Sequence, residues 1–297
     1  MRILIIGKSG QLGRSIHKIV NVNSNKNNYR QDSEFIFVGR SELNLSSESS
    51  INHFSRNNKF DVIINCAAYT AVDEAEEDQE LANQVNHLAV KQLAKITKDQ
   101  QAKLIHISTD YVFDGESDDP YIETDETNPI NVYGKTKLAG EQALQKVMPT
   151  NAIIIRTSWV YSEYGGNFVQ TMLRLSKERD ELNVVSDQIG SPTYATDLAK
   201  VILKIIHNKD YQDKQQPTEI YHYSNIGEIS WYDFAKEIFK IAKITCKVNP
   251  ITTGQYPTPA KRALNSRLNQ KKIHKAFEIN SEYWKDSLTQ AFQFIRK

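Results

Sequence analysis

The chain has 297 residues, of which 39% are hydrophobic and 25% are charged, and its formal net charge is +1. This composition is typical of a soluble globular protein and gives no reason to expect electrostatic binding of nucleic acid or of an anionic membrane. No run approaches the ~20 apolar residues of a membrane span, and the N-terminal MRILIIG is too short for a signal peptide. We therefore predict a cytoplasmic protein with no nucleic-acid or membrane partner.

The first predicted strand covers residues 1–6, an apolar run of the kind that is buried on both faces of a parallel sheet. It leads into GKSGQLG, which contains Gly7, Gly10 and Gly13, and then into a helical pattern. Glycines let backbone approach a pyrophosphate, and a helix N-terminus supplies free N–H groups and a positive dipole. The arrangement predicts a dinucleotide site, with a plain strand-to-helix turn as the alternative.

The second predicted strand, Glu34–Val38, is followed by Gly39 and Arg40, whereas the polar stretch Asn21–Asp32 before it predicts a surface loop. In an NAD site, an acidic residue at the end of this strand holds the ribose hydroxyls. Arginine suits a 2′-phosphate instead. We therefore predict NADPH as the cofactor, with NADH, or an arginine that is merely solvated, as the alternatives.

The third predicted strand, Asp61–Asn65, runs into a segment of small residues that includes Ala67 and Ala68. Small residues after a parallel strand allow a flat cofactor to approach closely, although a tight turn would use them equally well. The acidic run Asp73–Asp78 is predicted to enrich the first turn of a long helix that ends at Asp99.

The fourth predicted strand, Lys103–Ser108, ends at Thr109, where ligands bind in open α/β sheets. Tyr133 and Lys137 follow in NVYGKTKLAGE and lie four residues apart, on one face of a predicted helix. A nearby ammonium lowers the pKa of a tyrosine from its usual ~10, which makes proton transfer to a reacting oxygen easier. Tyr-x-x-x-Lys alone also occurs on solvated helix faces. Together with Thr109, the pair predicts a catalytic group.

The alternation of strand and helix patterns continues to a strand at Ala152–Arg156 and predicts an α/β fold with a Rossmann-like, doubly wound parallel sheet. We assign residues 1–156 to an NADP(H)-binding Rossmann domain. Residues 157–297 are predicted to form mainly a smaller α/β substrate-binding lobe, with some segments returning to the first domain. The predicted elements there are helices at 168–177, 197–206 and 231–241, strands at 182–185 and 221–224, and two short C-terminal helices.

Motifs along nearly the whole chain resemble those of the extended short-chain dehydrogenase/reductase family. They are GKSGQLG, NCAAYTAVDEAE, STDYVFDG, NVYGKTKLAGE, RTSWVY, NFVQTMLRL, DQIGSPT and YPTPAKRALNSRL. Four of them, AAYTAVD, STDYVFDG, RTSWVY and DQIGSPT, are similar to motifs of the subgroup that forms dTDP-L-rhamnose. The resemblance implies NADPH-dependent reduction of the C4 carbonyl of dTDP-4-dehydro-β-L-rhamnose, with hydride from the nicotinamide and a proton from Tyr133.

The resemblance also assigns roles by position. Its implied cofactor contacts are Gln11, Leu12, Asn44, Leu45, Ala68, Tyr69, Thr70, Tyr133 and Lys137, which join Gly7, Gly10, Gly13, Arg40 and Ala67 from the patterns above. Implied substrate contacts are Thr109 at the carbonyl, Asp110 beside it, Trp159 on the deoxysugar ring, and Asn167, Gln188 and Arg262 on the nucleotide sugar. Trp159 would alternatively be a core residue and Arg262 a surface residue.

Ser15 stands where some relatives carry an acidic residue that binds magnesium at a dimer contact. We therefore predict no metal site, while a homodimer remains compatible with the resemblance. Two other functions stay open at this point. A sugar-nucleotide 4-epimerase would retain NAD, which Arg40 argues against. A non-catalytic binding protein, such as the regulatory subunit of methionine adenosyltransferase, resembles the same subgroup, but the intact Thr109, Tyr133 and Lys137 favour an enzyme.

Overall fold

The computed structural model describes residues 1–21 and 33–295, so the predicted loop Asn21–Asp32 lies, apart from Asn21, outside the described residues. The strands are β1 (Arg2–Ile6), β2 (Glu34–Val38), β3 (Val62–Asn65), β4 (Lys103–Thr109), β5 (Ala152–Thr157), β6 (Val160–Tyr161), β7 (Glu181–Val185), β8 (Ile189–Gly190), β9 (Thr193–Tyr194), β10 (Glu219–His222), β11 (Ile229–Ser230) and β12 (Lys247–Ile251). Within this part of the chain, six strands form a parallel sheet in the order β10-β5-β4-β3-β1-β2. The predicted doubly wound α/β sheet is confirmed.

The helices are α1 (Gln11–Asn21), α2 (Glu48–Arg56), α3 (Gln79–Asn83), α4 (Ala89–Asp99), α5 (Val132–Val147), α6 (Phe168–Leu175), α7 (Ala195–Ile206), α8 (Lys209–Asp213), α9 (Trp231–Ala242), α10 (Lys271–Phe277) and α11 (Trp284–Phe292). A single π-helical segment, Gln84–Leu88, joins α3 to α4, so the helix that was predicted to end at Asp99 is continuous. None of the helices in the described ranges has the length and apolar character that a bilayer span requires.

Both faces of the central sheet are buried, which explains why its strands are runs of isoleucine and valine. Ile3, Ile5 and Ile64 point into one core, which α1 and α7 cover. Leu4 and Ile63 point into the other, which α2, α4 and α5 cover. Strands buried on both sides in this way are the normal result of right-handed βαβ crossovers. The carboxyl ends of β1 to β5 therefore meet at one edge of the sheet, where the predicted site residues follow.

The later part of the chain has a third core, built from residues such as Val169, Phe234, Trp284 and Leu288. Here β7 pairs with β12, β8 with β11 and β6 with β9. One segment of this region, β10, instead extends the central sheet beside β5. The division into domains at residues 156 and 157 stays a prediction.

Candidate active site

The glycine turn between β1 and α1 is packed too tightly for larger residues. Gly7 has φ +96°, in the left-handed region that favours glycine, and a β-carbon at Gly13 would lie 2.2 Å from the Gly7 carbonyl oxygen. The amide of Gly10 donates to that same oxygen at 3.0 Å. Helix α1 begins directly afterwards, with no acidic residue in its first turn. Its N-terminal dipole is thus unopposed and suits an anion.

A cleft of about 270 Å³ lies beside this turn, and we call it the turn cleft. Its lining combines the carboxyl ends of β1, β2 and β3 with α3 and the segment after β2. Seven of the predicted cofactor residues line it: Gly7, Arg40, Asn44, Leu45, Ala67, Ala68 and Tyr69. Thr70 does not and is exposed, while the Leu12 side chain points into the core.

Tyr133 lies in the first turn of α5, near the end of β4. Several contacts fix the N-terminus of this helix. The side chain of Asn131 caps it by accepting from the Gly134 amide at 2.8 Å. Glu76 accepts from the Val132 amide at 2.8 Å. A β-carbon at Gly134 would lie 2.1 Å from the Tyr111 carbonyl oxygen, so this turn of α5 presses directly on the backbone after Thr109. Tyr133 is consequently held next to Thr109.

Burial controls the protonation of Tyr133 and Asp110. It raises the pKa of Tyr133 above its usual value, although a hydrogen bond with the Thr109 side chain opposes the shift. Thr109 Oγ1 donates to Asp110 Oδ1 at 2.9 Å. Burial also raises the pKa of Asp110 to about 6. The phenol of Tyr133 is therefore protonated near neutral pH, as a proton donor must be.

The expectation that Lys137 lowers the pKa of Tyr133 is wrong for this structure. Lys137 is 1% exposed, and its Nζ donates to the Ile107 carbonyl oxygen at 2.7 Å. Burial lowers the pKa of Lys137 itself to about 8, and Lys137 is not among the groups that shift the pKa of Tyr133. Desolvation of the phenol thus outweighs any attraction from the neighbouring amine.

His106 is a buried residue that sequence reasoning missed. Its Nε2 lies 3.4 Å from Lys137 Nζ, and its Nδ1 lies 3.2 Å from the amide nitrogen of Asn65. Burial, with a smaller contribution from Lys137, lowers the pKa of His106 well below its usual value, so the imidazole is neutral. A histidine in the middle of an apolar strand was the signal that could have found it.

A second, larger cleft of about 860 Å³ is lined by Trp231, and we call it the Trp231 cleft. The predicted substrate residues Gln188 and Arg262 both line it. Gln188 Nε2 donates to Thr253 Oγ1 at 3.1 Å. Arg262 forms an ion pair of 2.7 Å with Asp73, which also lines this cleft. The helix that ends at Asp99 begins only at Gln79, so the acidic run Asp73–Asp78 precedes its first turn, and the prediction for that run is wrong.

The other four predicted substrate residues are not part of the Trp231 cleft lining: Thr109, Asp110, Trp159 and Asn167. Trp159 has φ +48° and stacks on Trp231 with ring centroids 3.5 Å apart. The Asn167 amide donates to Gln11 Oε1 at 3.0 Å, and its oxygen caps α6. The structure therefore places Trp159 against the tryptophan that lines the cleft, and Asn167 beside a predicted cofactor residue.

Ser15, the position that counted against magnesium, is buried and donates to the Gln11 carbonyl oxygen at 2.9 Å. Across residues 1–21 and 33–295, no group of three or more histidine, cysteine, aspartate or glutamate residues is arranged to hold a metal ion. The absence of a metal site at Ser15 stays a prediction.

Comparison with known proteins identifies the family of the chain. The RmlD substrate binding domain family model matches residues 1–296. A dTDP-4-dehydrorhamnose reductase from Aggregatibacter actinomycetemcomitans is 43% identical, over 97% of both chains. The crystal structure of a dTDP-4-dehydrorhamnose reductase from Clostridium acetobutylicum is 41% identical, with a TM-score of 0.90 and 100% coverage of both chains.

A third relative is the crystal structure of dTDP-4-dehydrorhamnose reductase from Bacillus anthracis in complex with NADP. It is 36% identical, with a TM-score of 0.89 and 98% coverage of both chains. These matches confirm the resemblance that the sequence motifs indicated. The chain therefore belongs to the RmlD substrate binding domain family.

Proposed function

We propose that this chain is an NADPH-dependent dTDP-4-dehydrorhamnose reductase, which reduces the C4 carbonyl of dTDP-4-dehydro-β-L-rhamnose to give dTDP-L-rhamnose. The observation that carries the proposal is the position of Tyr133 between the two clefts. Tyr69, from the lining of the turn cleft, packs in the same hydrophobic cluster as Tyr133. Tyr111, from the lining of the Trp231 cleft, meets the Tyr133 ring edge-on with centroids 5.4 Å apart. A proton donor is thus available where two ligands would meet.

The relatives support both the cofactor and the substrate. Those reported above carry the name dTDP-4-dehydrorhamnose reductase and match nearly the full chain, and the Bacillus anthracis structure contains NADP. The turn cleft suits the adenosine end of such a dinucleotide, because it joins the glycine turn before α1 to the exposed cation of Arg40. NADPH supplies the hydride when bound.

The residues of the chain would supply the proton and hold the carbonyl. Tyr133 would protonate the oxygen at C4, and its raised pKa keeps the phenol protonated before the reaction. Thr109 would orient the same oxygen from the end of β4. Lys137, anchored to Ile107, would hold the ribose of the cofactor from the buried side. Closely packed aromatic rings around Tyr133 would exclude water from the reacting atoms.

The Trp231 cleft has the mixed chemistry that a nucleotide sugar needs. Its apolar wall includes Phe168, Met172 and Trp231, which suit a base and a deoxysugar. Arg179 and Arg262 supply the positive charge for a diphosphate, and the planar guanidinium allows bidentate contacts. Asp73 occupies Arg262 through their ion pair of 2.7 Å, so a diphosphate bound at Arg262 would share or replace that partner. We infer that the diphosphate would bind at Arg262.

The test is the loss of NADPH absorbance when the purified chain is mixed with dTDP-4-dehydro-β-L-rhamnose, with the product identified by mass spectrometry and NMR. We expect one dTDP-L-rhamnose for each NADPH consumed. Conversion of a sugar without loss of NADPH would indicate an epimerase instead. NADPH binding without turnover of any nucleotide sugar would favour a regulatory subunit. The homodimer stays a prediction, which analytical ultracentrifugation would test.

A further inference from the structure

The carboxylate of Glu42 occupies a small anion site at the edge of the turn cleft. Its Oε2 accepts from the Gly39 amide at 2.9 Å and from the Ser41 hydroxyl at 2.9 Å. Its Oε1 accepts from the ammonium of Lys8, which belongs to the glycine turn. The hydrogen bond from Lys8 is the largest cause that lowers the pKa of Glu42 to about 2, so the carboxylate is ionised under all ordinary conditions.

The donors around Glu42 are those that bind phosphate groups in proteins. A backbone N–H, a hydroxyl and an ammonium converge on one point, and each would donate to a phosphate oxygen. Gly39 and Arg40, which flank this point, both line the turn cleft. Arg40 is exposed and has no ion-pair or hydrogen-bond partner among the described residues. A carboxylate of the chain itself therefore takes the place that an anionic ligand group would take.

We propose that Glu42 is a specificity-determining residue, which competes with the 2′-phosphate of NADPH for the donors Gly39, Ser41 and Lys8. This inference rests on the proposed function, because it assumes that the turn cleft binds the adenosine end of a nicotinamide cofactor. The 2′-phosphate has to displace the carboxylate or lie next to a like charge, and either costs free energy. A 2′-hydroxyl, as in NADH, can instead donate to the same carboxylate. Arg40 favours NADPH, and Glu42 offsets that preference.

The competing explanation is that Lys8 and Glu42 form an ordinary surface ion pair. The two side chains are 41% and 42% exposed, and pairs of this kind contribute little to stability. An ordinary pair would leave the choice between the two cofactors unchanged when Glu42 is replaced. The two explanations therefore predict different ratios of affinity for ligands with and without a 2′-phosphate. Binding measurements alone distinguish them, without an activity assay.

The test is isothermal titration calorimetry with 2′,5′-ADP and with 5′-AMP, fragments that differ only by the 2′-phosphate. We expect Glu42→Gln to raise the affinity for 2′,5′-ADP relative to 5′-AMP by about tenfold, the scale of one charge-assisted hydrogen bond. Glu34→Gln is the matched control. Glu34 is exposed and paired with Arg2, but it lies at the opposite end of β2. The control should leave the ratio of affinities unchanged.

Glu42→Ala is the second variant, because glutamine retains an oxygen that can still accept from Gly39 and Ser41. It should raise the ratio at least as far as Glu42→Gln. Equal ratios in wild type and in both Glu42 variants would overturn the inference while leaving the proposed function intact. A wild-type chain that binds neither fragment would refute the cofactor site of the proposed function, and the role of Glu42 with it. Circular dichroism melting of each variant confirms that it is folded.

Discussion

Lys137 of α5 lies beside His106 of β4, with Nζ of the lysine 3.4 Å from Nε2 of the histidine. They are 1% and 0% exposed. The lysine is anchored by the Ile107 carbonyl oxygen at 2.7 Å, and a neutral imidazole beside it adds no second positive charge. Lys137 is thus positioned by β4, in a pocket that lowers its pKa to about 8. Its proposed role at the cofactor ribose depends on this placement.

Replacing Lys137 by alanine should weaken NADPH binding and slow the reaction together. The substitution removes the amine that we assign to the cofactor ribose, and loss of a positioned catalytic group commonly costs a factor of ~10² or more in rate. Fluorescence titration with NADPH and steady-state kinetics measure the two effects. Lys135→Ala is the control, since Lys135 is exposed on the same helix. Unchanged NADPH affinity in Lys137→Ala would rule out the contact with the ribose.

Replacing Tyr133 by phenylalanine should abolish turnover and leave NADPH binding intact. The ring would still fill the cluster around Ala75 and Ala82, but the proton donor would be lost, at a cost of ~10²–10⁴ in kcat. Tyr211→Phe is the matched control, because Tyr211 is also buried and its hydroxyl has no hydrogen-bond partner in the described part of the chain. Activity close to that of the wild type in Tyr133→Phe would show that another group donates the proton.

The strong elements of the sheet could be predicted from the sequence, because each is a dense apolar run. The prediction for β2, Glu34–Val38, matches the structure in both bounds. The predicted strand at 221–224 is displaced from the observed β10, Glu219–His222. Strand β12 was missed because it contains Pro250 and polar residues, which are compatible only with an edge. Helix α2 was also missed, although Ser47 caps it.

The sequence identified residues of the site only where they lie close together in the chain. Tyr133 and Lys137 share a helix, so their spacing identifies them, whereas Asp73 and Arg262 are separated by 189 residues and meet only in the fold. Nothing in the apolar pattern of α9 distinguished Trp231, as a binding residue, from the core residues of the same helix. The pKa of Tyr133 was predicted with the wrong sign because the sequence does not reveal how completely a helix N-terminus is buried.

Trp231 should matter more for nucleotide-sugar binding than Trp159. Trp231 lines the cleft, whereas Trp159 stacks against it and contacts Gly190, where a β-carbon would lie 2.6 Å from the indole. Loss of one aromatic contact should weaken dTDP binding by about threefold to tenfold in Trp231→Ala. Calorimetry with dTDP on both alanine variants tests this order. A larger loss in Trp159→Ala would support the deoxysugar contact that the sequence motifs imply for Trp159.

Asp110 should make the stability of the protein depend on pH, with a sign opposite to that of most carboxylates. Burial raises its pKa from the usual 3.8 to about 6, so the native state binds this proton more tightly than the unfolded state does. The free energy of unfolding therefore falls as pH rises between these two values and is then constant. Asparagine at this position does not titrate and can still accept from Thr109, which now donates at 2.9 Å.

The free energy of unfolding of Asp110→Asn, measured relative to wild type, should thus increase by about 1 kcal/mol between pH 5 and pH 7.5. Urea unfolding followed by circular dichroism at the two pH values measures this change. The comparison at each pH cancels every other titrating group that the two proteins share. A difference that is constant with pH would mean that the Asp110 carboxyl keeps its ordinary pKa, and a difference that decreases would mean that the native site stabilises the carboxylate.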